Sequence, residues 1–377
     1  RDQAATPDAA AARAHLAASG APIFDRLTLS ITAFDRNLRT PYSQQWNLTT
    51  QYEFLPNWTL ELGYLGSHTV KLYNVQSINN ALLRNANNPG ALGITTNSSA
   101  NRDARVSLVG FSASGIGMIT GAGASTYNAM LLTVNRRFSR GLFLKAAYTF
   151  SKSLDNNSAN IDFDINLVNH NQFLPELSKG LSEHDIKHRL ILTYVYDVPA
   201  PRQRFLNYAL GNWSLSGMTI WQSGFPGSLS QSIGTSSLSG TAGRASLIPG
   251  CDLYTKGSTK ERLDGYLNFA CVQNTPLLAA GTTFGPLSPL EGPGDQLYTI
   301  SPGGSGRLMG TSGRSVFRGP NQFRWDLAAA KHIPLRWLGE AGNLEFRGDF
   351  FQILNNTNFA TPSGTANATT FGRITGT

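Results

Sequence analysis

The sequence predicts an all-β fold, an antiparallel transmembrane β-barrel of at least eight strands. Three observations predict it. Two-residue alternation of apolar and polar side chains runs through successive hairpin-like stretches. Charged residues make up only 14% of the 377, well below the roughly 25% of soluble domains. Short turns alternate with long polar loops, as they do in barrels that cross a membrane. No apolar run approaches the ~18 residues of a membrane helix. Only helices and closed barrels satisfy their backbone hydrogen bonds in lipid, so a membrane chain of this kind must cross as strands.

Residues 1–40 open with a short predicted helix, capped by Thr6 with Pro7 at its first position and closed by Gly20. The first hairpin spans about 41–73. From Tyr42 to Phe54 the even positions Tyr42, Trp46, Leu48, Tyr52 and Phe54 are apolar or aromatic, and the odd positions are polar. After a Leu55-Pro56-Asn57 turn, Trp58, Leu60, Leu62 and Tyr64 continue the apolar face. Each arm is about ten residues, enough for a tilted strand to span a bilayer. Residues 74–124 show no sustained period and read as a long loop. The second hairpin, about 125–155, carries Met130, Leu132 and Val134, then Leu144, Ala146, Tyr148 and Phe150. Arg136 interrupts its apolar face beside the Ser139-Arg140-Gly141 turn, where a long side chain can snorkel.

A polar loop at 157–186 leads to a third hairpin at 187–223, with Tyr194 and Tyr196 on one arm and Trp213 and Trp221 on the other. Residues 224–320 read as the longest irregular stretch, improbable in a compact soluble domain but expected of an extracellular barrel loop. The fourth hairpin, 322–356, sets Trp325 and Leu327 outward. Glu345, Arg347 and Asp349 are the candidate inward, lumen-facing charges. Phe351 and Ile353 break the alternation, which predicts a bulge or emergence from the membrane. The candidate interfacial aromatics are Trp46, Tyr52, Trp58, Tyr64, Tyr148, Tyr194, Trp213, Trp221 and Trp325, at levels that fit two girdles.

The net charge of +8 is spread along the chain without a basic run, which argues against a nucleic-acid partner. Cys251 and Cys271 are candidates for a disulfide, which would suit an oxidising compartment; free thiols are the other reading. His184 and His188 have metal-compatible spacing only on a helix, and they open a strand instead. Asp162 and Asp164 lack the ligand density of a calcium loop. The glycine-rich segment around Gly240 precedes no helix, so it makes no phosphate cradle. Phe225, Tyr254 and Tyr266 could either bind a ligand or pack loops together. No catalytic motif is present, so the expectation is a non-enzyme without cofactor or metal.

Six segments together resemble the C-terminal part of TonB-dependent outer-membrane receptors, in particular the Oar-like subgroup with a carboxypeptidase-regulatory-like domain. They are RTPYSQQWNLTTQYEFLPNWTLELGYLGSH (39–68), STYNAMLLTVNRRFSRGLFLKAAYTFSKSLD (125–155), HDIKHRLILTYVYDVP (184–199), GNWSLSGMTIWQSGFP (211–226), RGPNQFRWDLAAAKHIPL (318–335) and LEFRGDFFQILNNTNFATP (344–362). The resemblance implies a share of a 22-stranded, plugged barrel in the outer membrane of a Gram-negative bacterium. Its partners would be outer-membrane lipid, a plug domain, the TonB complex and an imported nutrient. The chain opens at Arg1 without a signal peptide, plug or TonB box. It stops at Gly376-Thr377 without a closing strand and terminal aromatic, so a fragment of a larger receptor is expected. Two alternatives remain at this stage: a self-contained small barrel acting as an adhesin or structural protein, and a soluble β-sandwich enzyme. Small inward residues such as Ser43, Thr49, Thr59, Gly63, Ala147, Ser214 and Ser216 would fill a narrow lumen poorly, which favours a wide barrel.

Overall fold

The computed structural model describes residues 31–82, 93–95, 101–108, 111–113, 116–158, 178–199, 201, 207, 210–230, 245–273, 312–335, 342–366 and 368–377. The expected helix at Thr6–Gly20, Asp162, Asp164 and Gly240 lie outside them. The strands are β1 (Ile31–Phe34), β2 (Tyr42–Leu55), β3 (Trp58–Ser77), β4 (Ile116–Ser139), β5 (Leu142–Asp155), β6 (Gly180–Leu181) and β7 (His188–Asp197). They continue with β8 (Trp213–Gln222), β9 (Pro226–Gly227), β10 (Ser246–Leu247), β11 (Val272–Gln273), β12 (Phe317–Arg318), β13 (Gln322–Pro334) and β14 (Asn343–Phe350).

The long strands form one antiparallel meander in the order β14-β13-β8-β7-β5-β4-β3-β2. The turns between β2 and β3 and between β4 and β5 are tight because Asn57, Arg140 and Gly141 all adopt positive φ, which suits the twist of a hairpin. The connections 198–212 and 335–342 return at the same end of the sheet. The connections 78–115, 156–187 and 223–321 all leave from the other end. Among the described residues β2 and β14 do not pair with each other, so the sheet stays open.

The register keeps one apolar face continuous. Leu62 lies opposite Leu132, Leu132 opposite Tyr148, Tyr148 opposite Leu190, Leu190 opposite Trp221, and Trp221 opposite Phe323. The adjacent row turns polar from β5 onward: Gly63, Leu131, Thr149, Arg189, Gln222 and Gln322 face one another in turn. The apolar face is strongly exposed, with Leu48 at 75% and Tyr52 at 66%. A water-soluble sheet would bury that face, whereas a strand facing lipid leaves it bare.

Two sequence expectations need correction. The stretch 74–124 is not loop throughout, because β3 runs on to Ser77 and β4 begins at Ile116. Gly117, Gly121 and Gly123 carry no side chain there, so the alternation has nothing to show itself with. The stretch 224–320 is not structureless either. Its described parts form the small sheets β9-β12 and β10-β11, which pack with the segment after β14. The alternation does end at Phe350; residues 351–354 form a turn that stays tied to β13 through the Ile353 N–H to the Trp325 carbonyl at 2.9 Å.

Candidate functional site

The polar face of β7, β8, β13 and β14 carries the charges that the sequence singled out. Period-two alternation sets Glu345, Arg347 and Asp349 on one face of β14. Arg347 bonds within its own strand, its guanidinium 3.0 Å from Asp349. Glu345 sits opposite His332 on β13, 3.8 Å from its ring. Sequence reasoning missed a second pair on β13, Arg324 and Asp326 at 2.7 Å. Asp326 also accepts the Gln352 backbone N–H at 2.9 Å, tying the end of β14 back to the sheet. Between these strands lies a cleft of about 270 Å³, lined by Thr193, Ser216, Met218, Asp326, Arg347 and Asp349 among others. Arginines and carboxylates interleave along this wall, while Val195, Met218, Ala328 and Phe351 give the cleft an apolar part.

Above the sheet, at the long-connection end, the described parts of the 223–321 connection and of the chain after β14 build a compact module. Leu229, Leu253, Tyr266, Leu267, Phe317 and Phe371 are among its buried core residues. A disulfide joins Cys251 to Cys271 across a 20-residue separation, with Cα atoms 5.4 Å apart. Tyr254 and Tyr266 meet edge to face at 5.9 Å, and the Tyr254 hydroxyl accepts the Arg318 backbone N–H at 2.8 Å. These tyrosines pack the loops together. Burial raises the Tyr266 phenol above its ordinary value, although the Arg262 guanidinium over its ring opposes this. The Phe225 carbonyl accepts from Gly319 N–H at 2.9 Å, within the same packing.

Two arginines of this module clamp it to the neighbouring connection. Arg314 pairs with Asp155 at the end of β5 and donates to the Leu181 carbonyl of β6 at 3.4 Å. Both charged side chains are more than nine-tenths buried. Burial pulls the Arg314 guanidinium down to about 10, so it is still charged at neutral pH. Arg318 pairs with the buried Asp185, and its guanidinium also donates to the Asp185 carbonyl at 3.1 Å and the Gly224 carbonyl at 3.2 Å. Sequence reasoning missed this clamp. Its ion-paired partners, Arg314 with Asp155 and Arg318 with Asp185, lie more than a hundred residues apart in sequence, so no short-range signal could have found it.

The candidate aromatics lie on the apolar face. Tyr52, Trp58 and Trp213 sit near the short turns. Arg136 lies over the Trp58 ring at 5.3 Å and Lys331 over Trp213 at 5.6 Å, both cation–π contacts. Trp46 covers Gly66 across the β2–β3 pair, where a Cβ would overlap the indole. The Tyr64 hydroxyl donates to Asn128 at 2.6 Å. The Trp325 indole N–H donates to the Tyr194 hydroxyl at 2.9 Å, so neither polar tip enters apolar surroundings unpaired. His188 packs 5.1 Å from Phe150 and 6.3 Å from Trp221, and its ring shares a hydrogen bond with Tyr148 at 2.7 Å. The exposed His184 is not part of that cluster. Among the described residues no group of three His, Cys, Asp or Glu side chains could hold a metal ion.

The family model of the outer membrane beta barrel domain matches residues 2–377. No curated protein sequence matches the chain. Among solved structures, the chain is similar to the outer membrane transporter YddB from Escherichia coli, at 9% identity and a TM-score of 0.41. That likeness covers 88% of this chain and 31% of YddB. It is also similar to the pyoverdine outer membrane receptor FpvA from Pseudomonas aeruginosa, at 10% identity and a TM-score of 0.39, over 89% of this chain and 28% of FpvA. The chain thus spans about a third or less of the length of these structures. With its lipid-facing apolar row, its polar inner row and a family match along nearly its whole length, the chain belongs to the outer membrane β-barrel domain family of Gram-negative bacteria.

Proposed function

We propose that this chain is part of the barrel of a larger TonB-dependent receptor that takes up a bulky or scarce nutrient. The observation that carries the reading is the open sheet. Its long strands have a polar inner face, and its two end strands, β2 and β14, leave each other unpaired. Such a sheet is completed by further strands, and a 22-stranded barrel with a plug in its lumen fits that need. The long connections face outside the cell and capture the ligand. Glu345, Arg347 and Asp349 line the lumen, where they meet the plug or a polar part of the cargo. Trp46, Tyr64, Tyr148 and Trp221 belong to one interfacial girdle, and Tyr52, Trp58 and Trp213 to the other; Tyr194 and Trp325, joined by their hydrogen bond, share a single level. Energy comes from the TonB complex, and no catalytic step is involved. A self-contained small barrel acting as an adhesin would require β2 and β14 to close on each other.

The test is the intact mass of the native polypeptide, extracted from outer membranes in detergent. A mass more than twice that of these 377 residues supports the receptor. A mass equal to this chain would replace it with the small barrel.

A further inference from the structure

The disulfide of the loop module is built asymmetrically. Cys251 closes the turn after β10: its N–H donates to the Ile248 carbonyl at 3.3 Å, across Pro249 and Gly250, the latter at a φ of 75°. Pro followed by a left-handed Gly is the sequence of a type II turn, and it leaves Cys251 exposed. Cys271 ends the short 3-10 turn Phe269–Cys271 and leads into β11. Its N–H donates to the Asn268 carbonyl at 3.1 Å, its carbonyl accepts the Ile248 N–H at 2.9 Å, and it is 0% exposed. One half of the bond faces solvent, and the other half belongs to the module core.

The polar groups around the buried sulfur are oriented too. The Asn268 side-chain amide is fixed at its oxygen end, which accepts the Ala270 N–H at 3.1 Å. Its nitrogen end points a donor at the Cys271 Sγ from 3.3 Å. The Asp252 carbonyl oxygen stands 3.0 Å from the same sulfur. A disulfide sulfur has no proton to give, so no hydrogen bond joins it to that carbonyl. In the cleaved form both neighbours find a use. The amide holds a Cys271 thiolate, and the carbonyl accepts from the thiol that follows. Burial alone would make a departing thiolate at Cys271 costly. A fixed N–H donor to the charged sulfur offsets that cost.

We propose that the Cys251–Cys271 bond is a thiol-exchange site, attacked at Cys251 by a small external thiol with Cys271 as the leaving group. The attacking thiolate forms a new S–S bond to the Cys251 Sγ, and the electron pair of the old bond leaves on the Cys271 Sγ. The proton lost by the incoming thiol is matched by the one that Cys271 takes up, and the number of disulfides is unchanged. The carboxylate of exposed Asp252, next to the attacked residue, favours a cationic thiol over an anionic one. Exchange frees residues 251–271 from their covalent closure. That loop carries Tyr254, whose hydroxyl accepts the Arg318 N–H at 2.8 Å, so exchange loosens the module where Arg318 holds it.

The test uses the whole detergent-purified protein that contains this chain. It is exposed briefly to cysteamine at neutral pH, quenched in acid, and mapped by peptide mass after free thiols are capped. Cysteamine is expected on Cys251 and the cap on Cys271. The variant N268D keeps the side-chain oxygen that accepts the Ala270 N–H and replaces the N–H donor by a carboxylate oxygen. Folded N268D should exchange at least fivefold more slowly than the wild type, and at the same rate once both are unfolded in urea. Cysteamine on Cys271, an even split between the two, or no adduct until the protein unfolds would overturn the proposal. So would equal rates for folded N268D and the wild type. The point of attack is read on the wild type, so that arm stands however N268D folds.

Discussion

Arg314 should hold the loop module onto the barrel, and its removal should loosen that junction without unfolding the sheet. Arg314 and Asp155 are both nearly buried and in direct contact. Removing one partner of a buried pair costs about 3–5 kcal/mol, because the remaining charge is stranded. In R314M the Asp155 carboxylate keeps the Ser158 hydroxyl at 2.6 Å, which offsets part of the cost, so about 3 kcal/mol is expected. If opening is local, that corresponds to roughly 100-fold faster amide exchange, since each 1.4 kcal/mol is about tenfold in an equilibrium. The faster exchange should appear at Leu181, Ser182 and residues 312–318, while β4 and β5 exchange as before. The double variant R314M/D155N leaves no stranded charge and should recover more than half of the loss. Unchanged exchange at these amides in R314M would refute the clamp. A double variant as loose as R314M would refute the electrostatic account.

Replacing Cys251 and Cys271 together by serine should cost the module on the order of 3 kcal/mol, the loop-closure value for a separation of 20; protease cleavage between 245 and 273 should accelerate accordingly. The Tyr266 phenol has its pKa raised by burial. Its contribution is therefore full below the ordinary value of about 10 and is lost as pH rises through the higher folded value; absorbance at 295 nm should show one late-titrating tyrosine, absent in Y266F. A valine at Gly66 would strike the Trp46 indole, so G66V should destabilise the first hairpin by about 1–3 kcal/mol, and W46A added to it should partly restore folding on a heat-modifiability gel.

The barrel strands were legible because each carries its own signal. Trp46, Leu48 and Tyr52 alternate with polar neighbours whatever the rest of the chain does, and pairing with β3 follows that alternation. The Asn57 and Arg140-Gly141 turns were legible for the same reason, since their backbone demands are local. The module was not. Its core joins Leu229, Leu253, Tyr266, Phe317 and Phe371, single apolar residues separated by polar runs, with no period that would bind them into one element. The upper half of β4 was hidden by its glycines. The inner wall was half legible: period two put Arg347 and Asp349 on one face, but not the neighbouring Arg324–Asp326 pair or the cleft between the strands.

The same alternation that makes the strands legible leaves the isolated sheet with two costly edges. All fourteen residues of β2 are exposed on both faces, and every residue of β14 except Gly348 is exposed as well. Each of these edges presents a row of backbone N–H and C=O groups, which in hydrocarbon would cost several kcal/mol apiece. Short charged edge strands and bulges protect the edges of soluble sheets. β2 instead offers Trp46, Leu48, Tyr52 and Phe54 along a long, regular ladder. An edge of that length and composition is shaped for pairing with another strand, not for standing bare in a bilayer.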